Sequence, residues 1–221
     1  MKPELLCPVG GPRQLKAALR FGADAVYMGA QAYGLRAFAG NFDFDDMARA
    51  IELCHKAGAK AYVTLNIFPF DDDLPGMLDT AIRLRDMGVD AAIVSDIGAL
   101  DMLNKKAPGL ELHLSTQANT MNARSAEIAH GLGAKRVILA REMSLKRIRR
   151  LRAELSPDCQ IETFVHGAMC MSYSGRCVLS DYLTGRGANR GACAQPCRWQ
   201  YAVVEQKRPG AYMPVEADER G

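Results

Sequence analysis

One short pattern recurs along the first 167 residues and leaves few folds open: a helical stretch, a glycine, Ala or Val, Asp or Lys, then an apolar run of strand length. It reads LRFGADAVYM around Gly22, HKAGAKAYVT around Gly58, LRDMGVDAAIV around Gly88 and HGLGAKRVIL around Gly133. A glycine just past a helix suits the C′ position, where a left-handed backbone closes the last turn and a Cβ is penalised. The intervals of 36, 30 and 45 residues each fit a βα unit, the longest with a further strand inside it. Reading outward from the glycines predicts seven strands, at about 4–9, 24–29, 60–66, 89–95, 111–117, 136–141 and 160–166. Six helices fall between them, at about 12–21, 43–57, 74–87, 97–105, 122–131 and 144–154. Strand alternating with helix argues for a parallel sheet covered by helices, and this many consecutive units favours an α/β, (β/α)8 TIM-barrel-like fold over an open doubly wound sheet. The eighth strand is missing from the pattern.

After the repeat the composition changes. Cys170, Cys177, Cys193 and Cys197 fall within twenty-eight residues rich in glycine, whereas Cys7, Cys54 and Cys159 are scattered through the repeat and read as small buried hydrophobes. The chain thus divides into a barrel portion, 1–167, and a Cys-rich segment with a β-hairpin, 168–221, the hairpin read from 199–205 and 212–216. No apolar run reaches the ~20 residues of a membrane span, and the first residues have no signal-peptide pattern, so a cytoplasmic protein with no membrane partner is expected. A reducing compartment disfavours disulfides and leaves a metal site as the reading of the four cysteines. The gaps of six, fifteen and three residues give only one zinc-like pair, with Pro196 inside it, so spacing favours an iron-sulfur cluster and keeps zinc as the alternative.

Barrel enzymes assemble their sites at the C-terminal ends of the strands. The polar residues ending the apolar runs are Asn66, Asp96, Gln117 with Asn119, Arg141 with Glu142, and His166. Arg141 suits bidentate binding of a small carboxylate or phosphate, Glu142 acid–base work, and His166 a proton shuttle. His55, His113 and His130 lie inside helix or strand patterns and read as structural or exposed. No HExxH, GxSxG, P-loop or GxGxxG signature is present. Net charge is only +3, but Lys135, Arg136, Arg141, Lys146, Arg147, Arg149, Arg150 and Arg152 cluster, which suits a surface that tracks phosphates. A solvated helix face explains 146–152 equally simply.

The segment ETFVHGAMC at 162–170, followed by SGRC at 174–177 and Leu179-Ser180, resembles the signature of the U32 family, long labelled peptidases or collagenases. PELL at 3–6, GADAVYMG at 22–29, STQAN at 115–119 and CRW at 197–199 extend the likeness along the whole chain. FVHGAMCMSYSGRCVLS together with RPGAYMPVEADERG is most similar to members that hydroxylate tRNA wobble uridine to 5-hydroxyuridine, with prephenate as co-substrate. The resemblance implies tRNA as partner and a 4Fe-4S cluster on Cys170, Cys177 and Cys193, with Cys197 the nearest fourth ligand. Place at the barrel mouth, and not the resemblance, makes Glu142 and His166 the catalytic candidates and Arg141, Gln117, Asn119 and Asn66 the substrate-binding ones. The resemblance also implies that members continue past the position of Gly221, so an N-terminal portion is expected. The older family label leaves a metal-dependent peptidase as the enzymatic alternative, and a redox or scaffold protein with a structural cluster as the non-catalytic one. Oligomeric state is not written in any of these residues.

Overall fold

The computed structural model describes residues 2–35, 41–167 and 169–215. Seven parallel strands lie in chain order: β1 (Leu6–Pro8), β2 (Ala25–Gly29), β3 (Lys60–Leu65), β4 (Ala91–Val94), β5 (Glu111–Leu114), β6 (Ala134–Ile138) and β7 (Gln160–Glu162). Between them run α1 (Pro12–Arg20), α2 (Phe44–Lys56), α3 (Leu74–Asp86), α4 (Ile97–Lys106), α5 (Ala123–Gly131) and α6 (Leu145–Glu154). The seven strands and six helices fall where the repeat predicts them, and no eighth strand joins the sheet among the described residues. Gly22, Gly58, Gly88 and Gly133 all take positive φ immediately after a helix cap. The first three close a Schellman motif, as in Ala23 N–H to Ala18 O at 3.0 Å with Gly22 N–H to Leu19 O at 3.2 Å.

The Asp of the repeat has a task that recurs. Asp24 accepts the Leu5 N–H at 2.8 Å and Asp90 accepts the Ala61 N–H at 2.8 Å. Each carboxylate therefore satisfies a backbone donor at the start of the preceding strand, which the parallel ladder leaves unpaired there.

The sheet is rolled. Glu4, just ahead of β1, accepts from Arg136 of β6 at 2.6 Å, although five strand spacings of about 4.8 Å would separate those strands by roughly 24 Å in a flat sheet. Apolar residues consequently form two cores. The larger lies between sheet and helices and includes Met47, Leu84, Leu100, Leu103 and Val137. The smaller lines the inside of the roll, with Ala25, Tyr62, Ala91, Ile93 and Ile138. Arg136 was counted with the basic surface by sequence; its side chain instead turns inward and is only 8% exposed. Cys54 and Cys159 are fully buried and Cys7 half-buried, as small hydrophobes should be, and burial pushes the Cys54 thiol up to about 11.

β7 ends at Glu162, four residues short of the expectation, because its ladder with β6 stops at the Ile138–Glu162 pair and only the Leu139 N–H to Glu162 O bond follows. The Cys-rich segment then forms α7 (Leu179–Thr184) and three single 3-10 turns, which no periodicity announces. The hairpin of β8 (Tyr201–Val204) and β9 (Tyr212–Val215) is antiparallel and exposed on both faces.

Candidate functional site

The C-terminal ends of the strands surround a cavity of about 180 Å3. Tyr27, Thr64, Asn66, Ile93, Ser115, Gln117, Ile138, Arg141, Glu162 and Phe164 all contribute to its wall. Three of the residues expected at the mouth, Asn66, Gln117 and Arg141, are thus brought together. Asn66 is fixed from both ends: its side-chain oxygen accepts the Leu35 N–H at 3.0 Å and its carbonyl accepts the Ser95 hydroxyl at 2.8 Å. The Gln117 side-chain oxygen accepts from the Ser115 hydroxyl. Arg141 lies over the Phe164 ring, 4.3 Å from its centroid, a cation–π contact that braces a flexible cation beside the opening.

The other four mouth candidates stand outside the cavity wall. Asp96 caps α4, its carboxylate accepting the Ala99 N–H at 2.8 Å. Asn119 sits just beyond it in a left-handed conformation that ends a 3-10 turn, its side-chain oxygen buried without a hydrogen bond among the described residues. His166 is exposed on the loop after β7. Glu142 is engaged elsewhere: its two oxygens accept the Ser174 N–H at 3.0 Å and the Ser174 hydroxyl at 3.1 Å. Burial alone would raise its pKa, but these hydrogen bonds and the adjacent Arg141 outweigh it and hold the carboxyl below its usual range. Glu142 is therefore an anionic clamp on the Cys-rich segment.

Among the described residues, that clamp is one of several points at which the segment is fastened over the mouth. Arg176 donates to Gln117 O at 3.2 Å. In the stretch after β3, Asp73 pairs with Arg190 at 2.8 Å, and Phe68 N–H reaches Asn189 O at 3.1 Å. Gly191 completes this contact at φ +88°; a Cβ there would stand 2.8 Å from Gly34 O. Around Ser180 the segment folds on itself, since the Ser180 hydroxyl donates to Arg186 O at 2.7 Å and accepts Ala194 N–H at 2.9 Å. Arg198, beside Cys197, donates to Met169 O, beside Cys170, at 3.4 Å.

The donor chemistry of this segment fits a thiolate-bound group. All four cysteines are free, with Cys170, Cys193 and Cys197 exposed and Cys177 half-buried. The Leu179 N–H points to Cys177 Sγ at 3.4 Å and the Gln195 N–H to Cys193 Sγ at 3.3 Å, the kind of donor that stabilises a sulfur carrying negative charge. Among the described residues, no three His, Cys, Asp or Glu side chains converge closely enough to hold a single metal ion.

A second polar set lies deeper, inside the roll, and the sequence reading missed it. Arg136 donates to Glu4 at 2.6 Å, to Glu162 at 3.4 Å, and through Nε and Nη2 to Gln160 at 3.0 and 2.9 Å. The Tyr62 hydroxyl donates to Glu4 at 2.9 Å. The available signal was the β7 alternation Gln160, Ile161, Glu162, which puts two polar side chains on the face that a barrel turns inward.

The profile of peptidase family U32 matches residues 10–221. The tRNA hydroxylation protein P1 of Bacillus subtilis is 46% identical over 92% of this chain and 48% of its own length. The tRNA hydroxylation protein P of Escherichia coli is 42% identical over 93% of this chain and 45% of its own. The 23S rRNA 5-hydroxycytidine C2501 synthase of Escherichia coli is 39% identical over 92% of this chain and 30% of its own. The chain thus spans about half or less of these relatives. A solved U32 peptidase superposes with a TM-score of 0.63 over 73% of this chain and 68% of its own, at 14% identity, a likeness of fold alone. No helix among the described residues is long and apolar enough to cross a membrane.

Proposed function

The chain belongs to peptidase family U32, and on that premise we propose that it serves an RNA hydroxylase acting in the cytoplasm, which converts tRNA wobble uridine to 5-hydroxyuridine. The observation that carries the reading is the 46% identity, over 92% of the chain, to a protein named for tRNA hydroxylation. The mouth cavity, with a cysteine-bearing segment fastened over it, supports the reading. Cys170, Cys177, Cys193 and Cys197 hold a 4Fe-4S cluster, with zinc as the alternative. When bound, such a cluster supplies one-electron chemistry at the rim.

The chain's own residues do the positioning. Arg141, braced on Phe164, pairs with the carboxylate of a small co-substrate, prephenate in this reading. Gln117 and Asn66 present amides to its oxygens from fixed backbone positions. Glu142 keeps the cysteine segment seated over the opening, and exposed His166 is free to relay a proton at the rim. Lys146, Arg147 and Arg149 of α6 are exposed, and none pairs with a carboxylate among the described residues, so they offer cations to RNA phosphates.

The test is to express the chain in a host lacking its own tRNA hydroxylation proteins and analyse the tRNA nucleosides by mass spectrometry. A wobble uridine heavier by one oxygen, lost in Cys170→Ala and Cys177→Ala together with protein-bound iron and sulfide, is the expected result. Unmodified uridine from folded, iron-loaded protein overturns the reading, and chelator-sensitive peptide cleavage replaces it with the peptidase.

A further inference from the structure

Among the described residues Glu162 is the one carboxylate in the cavity wall, and its surroundings differ from those of Glu142 at the rim. It shares Arg136 with Glu4, but unequally: the guanidinium is 2.6 Å from Glu4 and 3.4 Å from Glu162. Glu4 also takes the Tyr62 hydroxyl at 2.9 Å and Lys60 at 3.4 Å. Two acids thus compete for one buried cation, and Glu4 holds the better share. The remaining Arg136 donors are spent on Gln160.

Such competition separates the two acids. Burial works against charge on Glu4, yet Arg136, Tyr62 and Lys60 outweigh it and hold its carboxyl below the usual range. For Glu162 burial prevails over Arg136, with the Glu4 charge adding to it, and the carboxyl is pushed above the usual range. The groups facing Glu162 are Arg136 from β6, Glu4 from the segment ahead of β1, and Tyr27, Ser115, Gln117 and Arg141 around the cavity.

We propose that Glu162, and not Glu142, is the acid of this site: it enters the cavity protonated and donates a hydrogen bond to an oxygen of the ligand whose carboxylate Arg141 holds. The inference rests on the reading of the mouth as a small-carboxylate site and deepens it. The ligand class it selects is a small carboxylic acid carrying a second oxygen acceptor, such as a carbonyl, on the side away from the carboxylate. The two recognition elements are then opposite in kind, a cation for the anionic end and a neutral acid for the other. An ionised Glu162 would repel the same ligand, so binding is coupled to one proton.

The experiment has two arms on the full chain. In the first, the carboxyl carbons of [13C]glutamate-labelled protein are titrated by NMR, the Glu162 signal being the one absent from Glu162→Gln. A midpoint above the ordinary glutamate range is expected, and an ordinary or lowered midpoint overturns the inference. In the second, prephenate binding is followed by calorimetry from mildly acidic to mildly alkaline pH. Wild-type affinity should fall by about tenfold per pH unit above the Glu162 midpoint, while Glu162→Gln, which keeps a donor but does not titrate, should bind with little pH dependence. Wild-type binding that ignores pH, or a pH dependence that survives in Glu162→Gln, sinks the inference and leaves the mouth reading standing. No prephenate binding by folded wild type at any pH, or binding unchanged in Arg141→Ala, sinks both.

Discussion

The rolled sheet and the segment fastened over its mouth are stabilised by different means. In the sheet and its helices, large side chains such as Leu84, Leu100 and Leu103 are fully buried. In the segment after Glu162, Val165 is 90% exposed and Tyr182 85%, and Met171, Val178 and most apolar residues of the hairpin are exposed as well. The sheet is held chiefly by apolar burial among its own strands and helices. The segment is held by a few polar fastenings, so it has the least stability of its own.

The contrast can be broken from either side. The largest effect expected is on the sheet: Leu100→Ala should cost about 2–5 kcal/mol in a denaturant titration, the range for a fully buried leucine. A cost below ~1 kcal/mol would show that the core tolerates a cavity and that the contrast is weaker than drawn. Next comes Glu4→Gln, which leaves Arg136 buried with its strongest partner gone and should cost on the order of 3 kcal/mol near neutral pH. Because the Glu4 carboxyl is held below its usual range, its contribution is complete above the ordinary glutamate pKa and disappears as pH falls through the lowered one. The variant should therefore have a flatter acid limb in a stability-against-pH curve, and an unchanged limb would remove Glu4 from the account.

On the segment, Glu142→Gln should raise amide exchange across 170–180 with little effect on the sheet, a local loss of about 1–2 kcal/mol from a weakened charge-assisted bond. Global unfolding at the same denaturant concentration as local opening would mean that segment and sheet form one unit. Gly191→Ala should cost about 1 kcal/mol or more of docking, since it combines an unfavourable φ with a 2.8 Å approach to Gly34 O. It is read by the same exchange measurement around 186–194. The smallest effect belongs to Val203→Ala in the hairpin, within about 0.5 kcal/mol in the titration used for Leu100→Ala. A larger cost would give the hairpin a packing partner.

The same contrast explains what could be read from the letters alone. The glycine repeat located β2, β3, β4 and β6 with the helices before them, because a positive-φ helix exit followed by an apolar run is a local signal, complete within about ten residues; β1, β5 and β7 were legible as apolar runs of strand length. The Cys-rich segment has no such signal. Its path depends on Ser180 tying the segment to itself and on Arg190 and Gly191 meeting distant backbone, and its glycines allow many other paths. At the site, Asn66, Gln117 and Arg141 were legible because strand ends in a barrel converge. Glu142 was read as an acid–base group from that same position, and only its two bonds to Ser174 gave it a different task. Glu162 stood in plain view in the ETFVHG motif. What it faces depends on Arg136 and Glu4, and sequence adjacency says nothing of such a meeting.

The Glu4–Arg136 contact spans 132 residues, and this separation sets a clock on biogenesis. At roughly 5–20 residues per second, a ribosome needs about 7–26 s to add Arg136 after Glu4. Throughout that interval β1 to β5 can pair with their neighbours while the inward acid ahead of β1 lacks its cation. Curvature of the sheet is therefore completed late in synthesis, and a chaperone that shields the concave face until β6 emerges should raise the yield of folded chain.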